Sequence, residues 1–128
     1  MTRILIVDDD EAMLFAFRKL CAASCVETDT ADTLESALEL ISREKYDVVI
    51  SDLNLTGAHG QQGFEIVRAA KRNNPLIRTY IWTAYADKIL RDKVAKYGID
   101  GYLTKPVTFT TLLSIITGNH TPCLSTSA

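Results

Sequence analysis

Residues 4–11 read ILIVDDDE, four consecutive apolar residues followed directly by four acidic ones. A strand that is apolar on successive positions, rather than on alternate ones, is typical of a parallel sheet covered on both faces. In doubly wound sheets of this kind, ligands bind beyond the carboxyl ends of the strands. The stretch therefore predicts the first strand of the domain and, directly after it, one side of a functional site.

The rest of the chain repeats a strand-then-helix unit. Further apolar runs suited to strands lie at 26–28, 48–51, 77–83 and 101–103. Apolar residues at helical spacing follow each of the five runs, at 14–21, 34–41, 64–70, 90–97 and 109–116. Such alternation predicts an α/β fold, with a parallel sheet, right-handed crossovers and helices on both faces.

Two local details of the helices are also predicted. Asp32, with Glu35 three residues later, is typical of a capping box at the start of the second helix. In the last helix, a stripe of apolar residues predicts a buried face and leaves Ile115 toward solvent; the stripe consists of Phe109, Leu112, Leu113 and Ile116.

The composition is that of one globular domain. The chain has 128 residues, 47% hydrophobic and 23% charged, which excludes disorder as its main state. Fourteen basic against sixteen acidic residues give a net charge of −2, so the chain lacks the excess of basic residues that is typical of nucleic-acid-binding domains. Three cysteines favour a reducing compartment over a disulfide framework, and no stretch approaches a membrane span. We expect a cytoplasmic protein that binds neither nucleic acid nor membrane.

Polar residues follow four of the predicted strands. They are Asp8 and Asp9, then Asp52, then Thr83, and finally Lys105 before a proline. Three carboxylates at one sheet edge would repel one another unless a cation lay among them, and hard oxygen ligands suit Mg²⁺. A metal beside a lysine and a hydroxyl can neutralise phosphoryl oxygens while a carboxylate acts as nucleophile. The pattern predicts chemistry through an aspartyl phosphate.

Four segments of the chain resemble the signature segments of the receiver domain of two-component response regulators. They are ILIVDDDEAML, YDVVISDLNL, IWTAYAD and GYLTKPV, in the family's order and spacing from about Arg3 to Ile116. The resemblance, to the single-domain chemotaxis-regulator-like type, implies a flavodoxin-like doubly wound five-stranded parallel sheet, (βα)5, with strand order 2-1-3-4-5. It implies a receiver domain over residues 1–117, and we expect a flexible C-terminal tail over 118–128.

The resemblance also implies a phosphorylation site with its metal. Asp52 would accept a phosphoryl group from a histidine kinase or a histidine phosphotransfer protein. Asp9 and Asp52 would ligate Mg²⁺ directly, Asp8 directly or through a water, and Asn54 through its backbone carbonyl. Apart from self-phosphorylation from a donor and slow self-dephosphorylation, no enzyme activity is implied.

The remaining implied roles concern the response to phosphorylation. Thr83, the backbone of Ala84 and Lys105 would contact the phosphoryl group, and Tyr102 would swing inward as Thr83 moves. The signal would emerge on the surface of the fourth helix, fifth strand and fifth helix, to a downstream protein or in a homodimer. Tyr85, two residues past Thr83, would modulate access of water to the phosphoryl group.

The chain departs from the family pattern after Asp52. Thr56 stands where the family usually has proline, and the loop over 57–63 is about three residues longer than usual. The added length would shield the phosphorylated site or contact a partner, or it would be a tolerated surface insertion.

Three alternatives stand beside a phosphoacceptor. A haloacid-dehalogenase-like phosphatase would use Asp8 and Asp10, but it needs acidic residues after its lysine, and none follow Lys105. A pseudo-receiver binding module normally lacks one of the acids or the lysine, which are all present here. A phosphorelay shuttle, which passes the group on to another histidine, stays open.

Overall fold

A computed structural model of the chain describes residues 2–55 and 62–118. Strands and helices alternate along them, five of each. The strands are β1 (Arg3–Val7), β2 (Glu27–Ala31), β3 (Val48–Asp52), β4 (Arg78–Thr83) and β5 (Gly101–Thr104). The helices are α1 (Glu11–Ala23), α2 (Leu34–Arg43), α3 (Gln62–Asn73), α4 (Lys88–Lys96) and α5 (Phe109–Ile116). The predicted alternation is confirmed.

The five strands form one parallel sheet in the order β2-β1-β3-β4-β5. This confirms the predicted doubly wound topology. Val7 pairs with Ser51, Asp52 with Trp82, and Thr83 with Thr104, so the carboxyl ends of the four strands carrying the predicted site reach the same edge.

Both faces of the sheet are covered, which explains the consecutive apolar residues of β1. Ile4 and Ile6 enter the core cluster that includes residues of α1 and α5. Leu5 and Val7 point the other way, into the cluster formed with α2, α3 and α4. Because successive side chains of a strand alternate between faces, each of the four needs an apolar environment.

Two local predictions about the helices are wrong. The capping box of α2 is formed by Thr33, the N-cap, with Ser36, rather than by Asp32 and Glu35. The helix begins one residue later than expected, and a hydroxyl pair satisfies the same backbone groups. In α5, Ile115 is fully buried, because this short helix packs a wider face against the sheet than a single stripe predicts.

Parts of two predictions lie outside the described residues. Of the long loop assigned to 57–63, Gln62 and Gly63 belong to α3, and the rest is not described. Of the tail predicted over 118–128, only Gly118 is among the described residues, so the flexible tail and the boundary at residue 117 stay predictions. Within residues 2–55 and 62–118, no helix combines the length and apolar character that crossing a membrane requires.

Candidate functional site

Three carboxylates converge at the carboxyl edge of the sheet. Asp8 follows β1, Asp9 is its neighbour, and Asp52 ends β3; one oxygen from each lies within 4.8 Å of the others. Asp8 and Asp52 are buried, whereas Asp9 is exposed. Such a set of oxygen donors fits a hard divalent cation. The structure thus brings together the three acids that the sequence placed at one edge.

Backbone contacts hold the first of these acids in place. The backbone N–H of Asp8 donates to the carbonyl of Ala31 at the end of β2 (3.1 Å). One carboxylate oxygen of Asp8 accepts the backbone N–H of Asp10 (2.9 Å). Asp10 itself is the N-cap of α1, its side chain accepting the N–H of Met13 (3.1 Å). The acidic block therefore divides into site residues and a helix cap.

Lys105 reaches into this cluster from the end of β5. Its Nζ lies 2.6 Å from Asp8 Oδ2 and 3.6 Å from Asp52 Oδ1. Its backbone N–H donates to the Thr83 carbonyl (2.7 Å), and the bond to Pro106 is cis. The lysine thus binds one carboxylate tightly and stands near the second.

Burial sets the protonation of the two buried acids. Removal from water raises the pKa of Asp52 to about 6, against the opposing effect of Lys105. The negative charges of Asp8 and Asp9 raise it further, and a hydrogen bond from the Asn54 backbone lowers it. Burial likewise raises the pKa of Asp8, although hydrogen bonds from Lys105 and Asp10 oppose the change. Positive charge beside these carboxylates therefore favours their ionised forms.

The remaining predicted residues surround this centre. Thr83 is buried at the end of β4, and its hydroxyl accepts the backbone N–H of Tyr85 (3.4 Å). Ala84 is exposed, and so is Tyr85, by 75%. Asn54 is exposed two residues past Asp52. Tyr102 is half-buried and packs against the core on the α2, α3 and α4 side.

Sequence reasoning missed the role of Gly63. Its backbone N–H donates to the Leu53 carbonyl (2.9 Å), which fixes the start of α3 against the end of β3. A Cβ at this position would lie 2.3 Å from the backbone oxygen of Asp52. Only glycine allows this approach, and its recurrence in the family's loop pattern was the available signal.

Trp82 supports the site from within the core. It is fully buried, its indole N–H donates to the carbonyl of Val7 (3.3 Å), and Lys105 Nζ lies 5.7 Å from its ring centre. Phe17 of α1 packs against the same ring at 5.8 Å. One side chain therefore contacts the chain directly before Asp8 and the amine of Lys105.

The family follows from a match over most of the chain. A family model described as the response regulator receiver domain matches residues 4–117. The chain belongs to that family. Receiver domains are the signalling domains of two-component systems, and the match confirms the resemblance read from the four segments.

Two curated relatives of this chain are much longer proteins. The sensor protein GacS of Pseudomonas syringae pv. syringae is 29% identical over 116 residues, which cover 89% of this chain but 13% of GacS. The response regulator protein FleR of Pseudomonas aeruginosa is 29% identical over 114 residues, covering 89% of this chain and 24% of FleR. The chain thus spans less than a quarter of the length of either protein.

A solved structure has the same fold over most of its length. The CheY-like response regulator receiver domain protein of Methanospirillum hungatei JF-1 has a TM-score of 0.83 and 28% identity, covering 93% of each chain. The flavodoxin-like topology predicted for this receiver domain is therefore confirmed. The family match and this likeness favour the receiver domain over the phosphatase alternative.

Proposed function

We propose that Asp52 of this receiver domain is the phosphoacceptor, and that the group comes from a phosphohistidine of a histidine kinase or histidine phosphotransfer protein. The observation that carries this is the convergence of three carboxylates on the lysine of β5. An ammonium and three acids at one edge match the needs of phosphoryl transfer. Neither a merely structural ion pair nor a helix cap requires the third, exposed acid.

The chemical step forms one bond and breaks another. An ionised carboxylate oxygen of Asp52 attacks the phosphorus, the bond from phosphorus to the donor's imidazole nitrogen breaks, and the imidazole leaves with the bonding electron pair. Self-dephosphorylation is attack by water on the same phosphorus, which returns the carboxylate and releases inorganic phosphate. The domain otherwise turns over no metabolite.

Charge stabilisation is divided among the residues around Asp52. Lys105 would move its ammonium from the carboxylates toward the phosphoryl oxygens, and the backbone N–H of Ala84 would donate to them. Asp8, Asp9 and Asp52, with the backbone carbonyl of Asn54, would hold Mg²⁺. When bound, the ion supplies positive charge that neutralises both the acids and the phosphoryl oxygens.

The response would pass from the site to a surface. Thr83 is buried beside the site, so movement of its hydroxyl toward the phosphoryl group would leave space behind it. Half-buried Tyr102 on the neighbouring strand would fill that space. The changed surface of α4, β5 and α5 would then bind a downstream protein or a second copy.

The decisive experiment is phosphorylation with a small acyl-phosphate donor. Incubation with Mg²⁺ and acetyl phosphate, followed by intact mass, should add one phosphoryl group to the wild type and none to Asp52→Asn. Asp47→Asn, an exposed acid at the opposite edge, is the matched control and should be modified like the wild type. An adduct of equal yield on Asp52→Asn would refute the assignment.

A further inference from the structure

Charge is segregated along this nearly neutral chain. Residues 62–96 contain eight of the fourteen basic residues but only three of the sixteen acidic ones. That segment, which comprises α3, β4 and α4, therefore has a formal charge of +5, and the remainder of the chain has −7. The net charge of −2 is therefore the sum of a positively charged segment and a negatively charged remainder of the sequence.

The positive region contains a groove between α3 and the end of α4. The groove has a volume of about 280 Å³. Arg68, Lys71 and Arg72 of α3 line one side of it, and Tyr97 and Ile99 line the other. It lies toward the amino-terminal edge of the sheet, since Thr79 near the start of β4 also lines it. This cavity is separate from the residues proposed to receive the phosphoryl group.

Cations gather here around a pair of aromatic rings. Phe64 and Tyr97 pack edge to face at 5.5 Å. The guanidinium of Arg68 lies 4.8 Å from the centre of the Tyr97 ring and Lys96 Nζ lies 5.9 Å from it, while Lys93 Nζ lies 5.6 Å from the Phe64 ring. Contact with a ring face stabilises the cations of Arg68 and Lys96 only partly, so the two retain their mutual repulsion.

Carboxylates do not neutralise the α3 side of the groove. In residues 2–55 and 62–118, no ion pair joins Arg68, Lys71 or Arg72 to an acid. Lys71 donates to the backbone carbonyl of Ile77 (3.2 Å), which fixes its Nζ without removing its charge. Nearby, the carboxylate of Asp100 accepts the N–H of Thr79 (2.7 Å) and is engaged there. An external anion would relieve the repulsion.

We propose that this groove, lined by Arg68, Lys71, Arg72 and Tyr97 and flanked by Lys96, is a docking site for an acidic polypeptide segment of a partner protein. Guanidinium and ammonium groups on two helices can bind successive carboxylates along an extended chain. The site is independent of Asp52, so it gives this receiver domain a second surface for recognition.

The charge distribution decides against two other occupants. A nucleic acid is disfavoured because the chain as a whole has a net charge of −2 and the buried Phe64 offers no free face for stacking of bases. In a second copy, the acids Asp29 and Glu44 at the β2 edge already pair with Arg3. Any contact of the groove with acids elsewhere on a second copy would be head-to-tail and would leave one groove open in every chain of copies.

The test is a binding titration with a defined acidic probe. Fluorescence anisotropy of a labelled peptide of about ten glutamates is measured against the wild type at ~20 mM and ~200 mM NaCl. Because the contacts are exposed ion pairs, we expect saturable binding that weakens at the higher salt concentration. The variant Arg68→Gln/Lys71→Gln/Arg72→Gln should bind at least about tenfold more weakly.

A second triple variant separates the groove from general charge attraction. Arg18→Gln/Lys19→Gln/Arg43→Gln removes the same charge from exposed positions on α1 and α2, and should lower the affinity less than about twofold. Amide shifts on binding should centre on α3 and on residues 97–99. Circular dichroism and thermal unfolding check that both variants are folded.

Three results would each overturn the proposal. If both triple variants bound the peptide equally weakly, net charge alone would account for the binding. Tighter binding of an oligothymidylate of about ten nucleotides would assign the groove to nucleic acid. Groove-dependent self-association in sedimentation velocity, lost in the α3 triple variant, would make a second copy the occupant.

Discussion

The Nζ of Lys105 lies 2.6 Å from Oδ2 of Asp8, a contact between residues 97 positions apart in the chain. Asp8 is fully buried, so this ion pair is shielded from water on the acid's side. The same Nζ stands 3.6 Å from Asp52, close enough to be redirected when a phosphoryl group is added there. Before phosphorylation, Lys105 therefore offsets part of the negative charge of the three acids; after it, we expect the lysine to bind the phosphoryl group.

Replacing this lysine should separate metal binding from phosphoryl transfer. In Lys105→Met, the cation that repels a divalent ion is gone, so Mg²⁺ should bind at least as tightly as in the wild type. Phosphorylation by acetyl phosphate should slow by about a hundredfold, because the phosphoryl oxygens lose a charged donor. Lys88→Met, which removes an exposed lysine paired with Asp92, should change neither quantity. Weaker Mg²⁺ binding in Lys105→Met would contradict this account of the ion pair.

The stability of the metal-free domain should depend on pH through Asp52. Its pKa rises from 3.8 to about 6 on folding, so its stabilising contribution is complete below pH 3.8 and is lost as the pH rises through about 6. By neutral pH the ionised carboxylate lowers the free energy of unfolding by up to about 3 kcal/mol. Asp52→Asn should therefore be more stable than the wild type at neutral pH, and the difference should shrink toward pH ~4.

Urea unfolding in the presence of a chelator measures this difference. Asp47→Asn is the control, and its stability relative to the wild type should not follow the same pH curve. If the free energy of unfolding of the wild type and of Asp52→Asn changed with pH in parallel, burial would not raise the pKa of Asp52 in the folded domain.

A methyl group at Gly63 should damage the site through the backbone. Gly63→Ala would bring its Cβ to 2.3 Å from the Asp52 carbonyl oxygen, so α3 or the end of β3 must shift. We expect a loss of about 2 kcal/mol in stability and slower phosphorylation of the folded fraction. Gly98→Ala is the matched control: nothing lies within 4 Å, but the φ of 67° makes it cost about 1 kcal/mol without any change in phosphorylation. Equal phosphorylation rates in the two variants would refute a positional role for Gly63.

Trp82 should report directly on the site. It is the single tryptophan of the chain, and its ring lies 5.7 Å from Lys105 Nζ. A change in the position or charge of that ammonium alters the field at the indole, so Mg²⁺ and phosphorylation should each change its fluorescence. In Asp9→Asn/Asp52→Asn, added Mg²⁺ should no longer change the fluorescence of Trp82. An unchanged spectrum in the wild type would argue against movement of Lys105 and Thr83.

Tyr85 tests the control of dephosphorylation. Its side chain is largely in solvent, while its backbone N–H bonds to the Thr83 hydroxyl, so Tyr85→Ala removes the ring and keeps that bond. If the ring hinders attack by water, the variant should lose its phosphoryl group a few times faster, roughly 3-fold. Ile89→Ala changes an exposed apolar residue, the second of α4, and should keep the wild-type rate. Identical dephosphorylation rates of Tyr85→Ala and the wild type would show that the ring does not hinder attack by water.

Local sequence patterns predicted the fold because its elements depend on local periodicity. Consecutive apolar residues at 4–7 and 48–50 require a sheet covered on both faces, and the stripe at 34–41 requires a helix. The choice of cap for α2 failed, because Asp32 and Thr33 are adjacent candidates and only the packed start of the helix selects one.

The residue types of the site could be predicted in the same way, since each follows directly after a strand. Strand order then brings Asp8, Asp52 and Lys105 to one edge. Their distances and the raised pKa of Asp52 depend on burial, which no local pattern specifies.

What the sequence alone determined is therefore the alternation of elements, the family and the acids and lysine that belong together. The tertiary structure decided that Lys105 binds Asp8 more closely than Asp52, and that Gly63 must lack a side chain. It also decided that Arg68 lies against Tyr97 in a positively charged groove. The physical reason is common to all three: these contacts join separate elements, and their geometry is set by how helices and strand ends pack together.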